Sequence, residues 1–142
     1  MAGPPQFYFE DVVLHGVLDT PAMTITEAHV GIYAGLSHDL PARSDQVPEL
    51  LPLCLTPGLG WRVNQPPLAV LAFMGFDWEV LQPVRVGDTI HSRSRTAVKR
   101  SMREGGVIVE ERQVINQRGE VVQKGRFTFL VAKRPTDAAP TG

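Results

Sequence analysis

The chain has a single cysteine, Cys54, among 142 residues. It therefore holds no internal disulfide and no thiolate pair from which a zinc site would be built. Net charge is almost absent: the formal balance is -1 at pH 7 with charged residues at 20%, spread along the chain rather than clustered. That excludes the long-range positive field that draws proteins to nucleic acid. No apolar run reaches the roughly 18 residues of a membrane span, and Met1-Ala2-Gly3-Pro4-Pro5 lacks the basic and apolar regions of a secretory signal. A soluble chain of the reducing cytoplasm is expected. At this length one core is the rule, because a second would need roughly 50 residues of its own. The reading is one domain over 1–142, with residues 1–5 and the small, polar tail 135–142 flexible.

What is present divides the chain in two. In the first half, Thr26 stands where a cap belongs and Glu27 beside the positive end of a helix dipole, so a helix is expected from about Glu27 to Leu36. Ile25 and Val30 form the hydrophobic staple across that cap. The Leu-rich segment from Val47 to Val63 is a second helix beginning near Pro48 or Glu49. Pro52 is then tolerable, while Pro57 demands a kink or an early stop. Cys54 is expected as a buried small hydrophobe in it.

From Leu68 onward the pattern is that of strands: Leu68–Val80, with Phe76, Trp78 and Val80 inward and Gly75 at a bulge or bend, then Thr89–Arg100, Val107–Gln117 and Val121–Lys133. Arg103-Glu104-Gly105-Gly106 and Asn116-Gln117-Arg118-Gly119 supply glycine where hairpins need positive φ. Helices followed by an antiparallel meander give an α+β domain. Trp61, Phe73, Phe76 and Trp78 read as core or dimer-interface aromatics, since no basic stripe interleaves with them. Charges in the strands after Thr89 read as surface.

Five blocks carry a resemblance: Tyr8-Phe9-Glu10-Asp11, Thr24-Ile25-Thr26-Glu27-Ala28, Tyr33-Ala34-Gly35-Leu36-Ser37, Pro83-Val84-Arg85-Val86-Gly87-Asp88-Thr89-Ile90, and Val114-Ile115-Asn116-Gln117-Arg118-Gly119-Glu120-Val121-Val122. In this order they resemble the MaoC-like dehydratases and (R)-specific enoyl-CoA hydratases along nearly the whole chain. The resemblance implies a hotdog fold, an antiparallel sheet wrapped around a central helix, paired into a homodimer or higher even oligomer. It also implies hydration or dehydration of an acyl thioester carried on coenzyme A or acyl carrier protein, with no metal or redox cofactor.

The family motif after the first helix is Asp-x-Asn-Pro-x-His. Asp39 falls on its Asp, whereas Leu40-Pro41-Ala42-Arg43-Ser44 follows, placing Arg43 or Ser44 where the His belongs. Arginine stays protonated and cannot act as a base, but it can anchor a phosphate. Pro48-Glu49 takes the place of the family's His-Gly pair at the central helix, and the loop before it is shortened. By resemblance the candidate catalytic residues are Asp39 and His38, and the candidate substrate contacts are Ser37, Arg43 and Glu49. Each has a plainer reading: Asp39 bonding its own loop, His38 and Arg43 solvated, Glu49 favourably placed at a helix N-terminus. Arg62 and Arg85 have the same two readings as Arg43, while His15, His29 and His91 are structural or exposed. Three functions stay open: a hydratase or dehydratase, a catalytically degenerate thioester-binding or partner subunit, and a thioesterase using Glu49.

Overall fold

A computed structural model of the chain describes residues 4–136. Residues 1–3 and 137–142 of the expected flexible termini lie outside the described residues. In chain order a single 3-10 turn, Phe9–Asp11, is followed by β1 (Val17–Asp19), β2 (Met23–Thr24), α1 (Glu27–Ser37), α2 (Leu51–Trp61), β3 (Val70–Val80), β4 (Thr89–Met102), β5 (Gly105–Ile115) and β6 (Val121–Val131). The strands form one antiparallel sheet of order β1-β4-β5-β6-β3, with β2 alongside β4.

The expected helix start holds, with an addition. Thr26 is the N-cap of α1, and its backbone N–H donates to His29 Nδ1 at 2.9 Å. His29 thus occupies the position where a capping box usually carries Glu or Gln. Ile25 is fully buried, and Val30 packs on the cluster that contains it.

α2 departs from expectation by running through Pro57 to Trp61. A proline has no N–H to give the carbonyl four residues earlier, here Leu53. The Thr56 hydroxyl supplies the missing donor, reaching the Leu53 carbonyl at 2.9 Å. The helix also begins later than expected, at Leu51, with Pro52 in its first turn. Leu51, Pro52, Leu53, Thr56 and Leu59 face inward, which leaves Cys54 outside that stripe. Cys54 is exposed rather than buried.

The strands match the alternating runs closely. β4 and β5 turn back on each other at Arg103-Glu104, and Gly105 enters β5 at φ 142°. Gly75 lies at a break in register between β3 and β6, with φ 154°, so the expected bulge or bend is found there. The short β1 and β2 were not foreseen, since three- and two-residue strands leave no periodicity to read. The segment Pro83–Ile90 is a hub. Ile25 exchanges backbone bonds with Gly87 and Asp88 at 2.8 and 2.9 Å, and Val47 donates to Val84 at 2.8 Å. Both helices are thereby tied to the sheet through the chain block that leads into β4.

One face of the sheet carries the core, in two separate clusters. Ile25, Val47, Leu51, Val84, Ile90, Val114 and Val122 form one; Phe9, Val12, Ile108 and Val131 form the other. β3 is an edge strand, and this corrects its sequence reading: Trp78 is half-buried, but Phe76 and Val80 are exposed. Alternation assigns them to the inner face, yet among the described residues no helix extends over that edge. Phe73 is exposed as well and stacks on Phe127, 5.6 Å between ring centres, and Trp61 stands 73% exposed. None of Trp61, Phe73, Phe76 and Val80 is core within one chain.

Candidate functional site

The Asp39 loop is a helix ending that its own residues hold. His38 closes α1 in the left-handed conformation, φ 59°, with its N–H on the Ala34 carbonyl. The Ser37 hydroxyl donates to the Tyr33 carbonyl at 2.7 Å and accepts from the Asp39 N–H at 3.1 Å. Tyr33 donates its phenol proton to Asp39 Oδ2 at 3.2 Å. Burial, then the bond to Asp39 and the charge of that carboxylate, push the Tyr33 phenol above its ordinary value. It therefore stays a neutral donor aimed at a carboxylate that is exposed. In sequence Tyr33 is one residue of the Tyr33-Ala34-Gly35-Leu36-Ser37 block, with no sign of a role of its own. Its partnership with a residue six positions on appears once the helix end curls back.

The remaining candidates stand apart from this pair. Arg43 is exposed and lies 3.5 Å from Asp45. Among the described residues no hydrogen bond or ion pair joins Asp39 to Arg43 or Glu49, and the His38 side chain has no hydrogen-bond partner. Glu49 precedes the uncapped N-terminus of α2 and borders a cleft of about 240 Å³ shared with Gln46, Val80, Gln82 and Gln123. The Glu49 N–H, one residue before the N-cap Leu50, has no backbone partner among the described residues. Its carbonyl is fixed by Gln123 Nε2 at 2.7 Å, while Gln123 Oε1 accepts from the Trp78 indole at 2.9 Å. Gln123 is fully buried, so a polar strut ties the start of α2 to β3.

Between the two hydrophobic clusters lies a polar band that sequence reading had assigned to the surface. Glu110 and Arg112 lie in phase in β5 with Ile108 and Val114, which are both buried. They share that inner face, beneath α2. Arg112 Nη2 lies 2.8 Å from Glu110 Oε2, with 12% and 19% of the two side chains exposed. Arg112 Nη1 donates to the Thr56 hydroxyl at 3.0 Å, and its guanidinium lies 4.0 Å over the Phe127 ring. Period-two alternation from Ile108 to Val114 was the available signal. The outward residues of the same strands do behave as a surface: Arg93 pairs with Asp19 and Arg95 with Glu111, all well exposed.

The sequence matches no family model. No curated protein matches it either. Solved structures do. A protein of Archaeoglobus fulgidus described as a monoamine oxidase regulatory protein is 26% identical, covering 92% of this chain and 97% of its own with a TM-score of 0.83. A MaoC-like dehydratase of Rhodospirillum rubrum is 20% identical over 90% and 98%, with a TM-score of 0.76. An (R)-hydratase of Pseudomonas aeruginosa is 15% identical over 91% and 88%, with a TM-score of 0.75. No helix among the described residues is long and apolar enough to cross a membrane. An antiparallel sheet packed on α2, in strand order β1-β4-β5-β6-β3 and superposing on these structures over nearly its whole length, gives this chain the hotdog fold of the MaoC-like dehydratases and (R)-hydratases.

Proposed function

We propose that this chain is a MaoC-like hydratase or dehydratase acting on the α,β double bond of an acyl thioester carried on coenzyme A or acyl carrier protein. The observation that carries this is Asp39, which combines the family's motif position in sequence with a fixed donor, Tyr33, on one carboxylate oxygen. In hydration, Asp39 takes a proton from water as the water oxygen bonds to the β-carbon, and the same proton passes to the α-carbon. One carboxylate completes that cycle without a separate acid, so the family's missing His does not prevent it. The Glu49 N–H at the head of α2 polarises the thioester carbonyl. Carbon and oxygen keep their combined oxidation state, so no redox cofactor is called for. Tyr33 and Ser37 are positioning residues and Arg43 meets the carrier phosphate, while His38, next to Asp39 in the loop, is the alternative carrier of the proton to the α-carbon. The cytoplasm, where acyl thioesters are made and used, is the compartment that fits.

The working unit of this reading is a dimer joined along β3. That edge strand is 11 residues long and leaves Val70, Leu71, Phe73, Met74 and Phe76 exposed. A long apolar edge of this kind is a template for another strand. Phe76→Asp is expected to give a monomer by light scattering. A mass unchanged from the parent dimer removes β3 from the interface.

The functional test is loss of enoyl absorbance with crotonyl and longer thioesters. Asp39→Asn is expected to lower the rate about 100-fold or more, in the range of general acid–base catalysis. Tyr33→Phe should lower kcat about tenfold with KM little changed. Equal rates for the parent chain and Asp39→Asn sink the proposal. A second reading, a thioester-binding or partner subunit without turnover, is favoured by the exposure of Asp39 and by Arg43 in place of the motif His. It predicts binding of the same thioesters with no hydration. Release of free thiol, lost in Glu49→Gln, would instead mark a thioesterase.

A further inference from the structure

The sheet has a second face, turned away from the core, and its charges are ordered. Glu111 and Gln113 are out of phase in β5 with the buried Ile108 and Val114, so they and their cross-strand neighbours point outward. Register sets these side chains in two adjacent rows across β4, β5, β6 and β3. One row is Arg93, Gln113, Lys124 and Glu79; the next is Arg95, Glu111, Arg126 and Asp77. An open cleft of about 310 Å³ lies among them. Further along the strands the same face turns apolar, with Val98 beside Val109 and Val107 beside Leu130.

Within one chain this pattern is only partly used. Arg93 pairs with Asp19 and Arg95 with Glu111. Among the described residues Lys124, Arg126 and Glu79 enter no ion pair, although register puts Lys124 beside Glu79 and Arg126 beside Asp77. A second copy of the same face is a partner that matches it. In a two-fold contact each residue meets the same residue of the other copy twice over, so a candidate axis can be judged by the charges it brings together. An axis along β5 sets Arg95 on Arg126 and Arg93 on Lys124. An axis along β6 sets Glu111 on Asp77. An axis across the strands, between the two charged rows, sets Arg93 on Arg95. Each of these opposes like charges, which costs association. An axis parallel to the strands and midway between β5 and β6 opposes none.

We propose that this outer face is an interface between two copies of the chain, packed sheet on sheet about that central axis. β5 of each copy then lies over β6 of the other, and β4 over β3. Glu111 meets Arg126, Arg95 meets Asp77, Arg93 meets Glu79, and the Gln113 side-chain oxygen accepts from Lys124. On the apolar side Val107 meets Leu130. The apolar rows supply contact area and the charged rows fix the register. Strand spacing and rise give a contact of roughly 1,000 Å² in total, at the low end for a specific interface, so the association is one that salt weakens. It lies on the side of the sheet opposite α2 and involves neither turnover nor the β3 edge.

The test is the mass of the full chain by sedimentation at about 0.05 M and about 1 M salt, the latter screening charges beyond about 3 Å. The parent chain should show twice the mass at low salt that it shows at high salt. Glu111→Lys and Arg126→Glu should each weaken the association about 100-fold, since each reverses a facing contact made twice, and each alone should stay at the lower mass. Mixed in equal amounts at low salt, the two variants should regain the higher mass, because each supplies across the axis the sign that the other lacks. Pairing inside each chain stays broken in that mixture, so a purely intrachain role predicts no recovery. The proposal is overturned by a parent mass that does not respond to salt, by single variants that associate like the parent, or by a mixture that stays at the lower mass. If a variant does not fold, the salt response of the parent chain decides. Phe76→Asp should halve both parent masses and leave their salt response, so failure of the β3 dimer changes the absolute masses, whereas failure of this interface removes the response.

Discussion

Thr56→Val tests how α2 survives a proline in its interior. Valine keeps the shape of threonine and removes the hydroxyl that donates to the Leu53 carbonyl at 2.9 Å and accepts from Arg112 at 3.0 Å. Thr56 is 2% exposed, so water does not replace either bond. A buried carbonyl left without a donor costs about 1–3 kcal/mol, and a bond to a charged group is worth about 1.5–3 kcal/mol. The second loss falls at the low end, because Arg112 keeps Glu110. The added methyl returns about 0.8 kcal/mol of apolar burial. The net expectation is a loss of about 2 kcal/mol, a fall in Tm of roughly 8 °C for a domain of this size. Urea unfolding at fixed protein concentration measures it, and Thr56→Ser, which keeps both bonds, should lose only about 1 kcal/mol. The sharper measurement is the cycle with Pro57→Ala. Alanine brings back the N–H that Pro57 lacks, so the Leu53 carbonyl no longer depends on Thr56. The two substitutions should couple by about 1 kcal/mol. Additivity within about 0.3 kcal/mol would refute the claim that Thr56 stands in for the missing donor.

Four further outcomes follow from the same structure. Gly125→Ala drives its Cβ into the Asp77 carbonyl and the Trp78 ring and should destabilise by about 3 kcal/mol or more, whereas Gly58→Ala in α2 meets nothing within 4 Å and should stabilise by about 0.5–1 kcal/mol; parallel denaturant curves check both. Gln123→Leu breaks the strut from Trp78 to the Glu49 carbonyl. It should lower stability by about 2 kcal/mol and shift the Trp78 fluorescence. Asp11 accepts from the Tyr8 N–H, then from Arg134, and these hold its carboxyl below the ordinary value. A depressed folded value gives stability that is present above the unfolded value and is lost as pH falls through the folded one. The gap in stability between the parent chain and Asp11→Asn should therefore be constant above about pH 5 and close below about pH 4.

The parts of the fold legible in sequence are those whose cause is local. β4, β5 and β6 alternate in period two and are separated by glycine turns, and α1 begins at a cap with a staple, so each shows itself within a dozen residues. Pro57 misled for a related reason. The rule that proline stops a helix is local, but here the neighbouring Thr56 side chain cancels it. β1 and β2 left no trace because they are held by register on β4 rather than by any pattern of their own.

The site was legible only in part. Asp39 is marked by its motif, and the structure adds Tyr33 as its partner. Glu110 and Arg112 read as surface charge because strand charges usually are. Noticing that buried Ile108 and Val114 lie in phase with them requires knowing which face of β5 is covered.

The sequence by itself determined the class of the fold, the bounds of its main strands and the position of Asp39, because propensity, capping, turn chemistry and motif are written residue by residue. The tertiary structure decided what no local rule contains: that β3 is an edge, that Cys54 faces outward, that Gln123 braces the head of α2, and that an arginine and a glutamate close a polar floor between two hydrophobic clusters. Each of these depends on which surfaces meet, and those surfaces come from residues far apart in the chain.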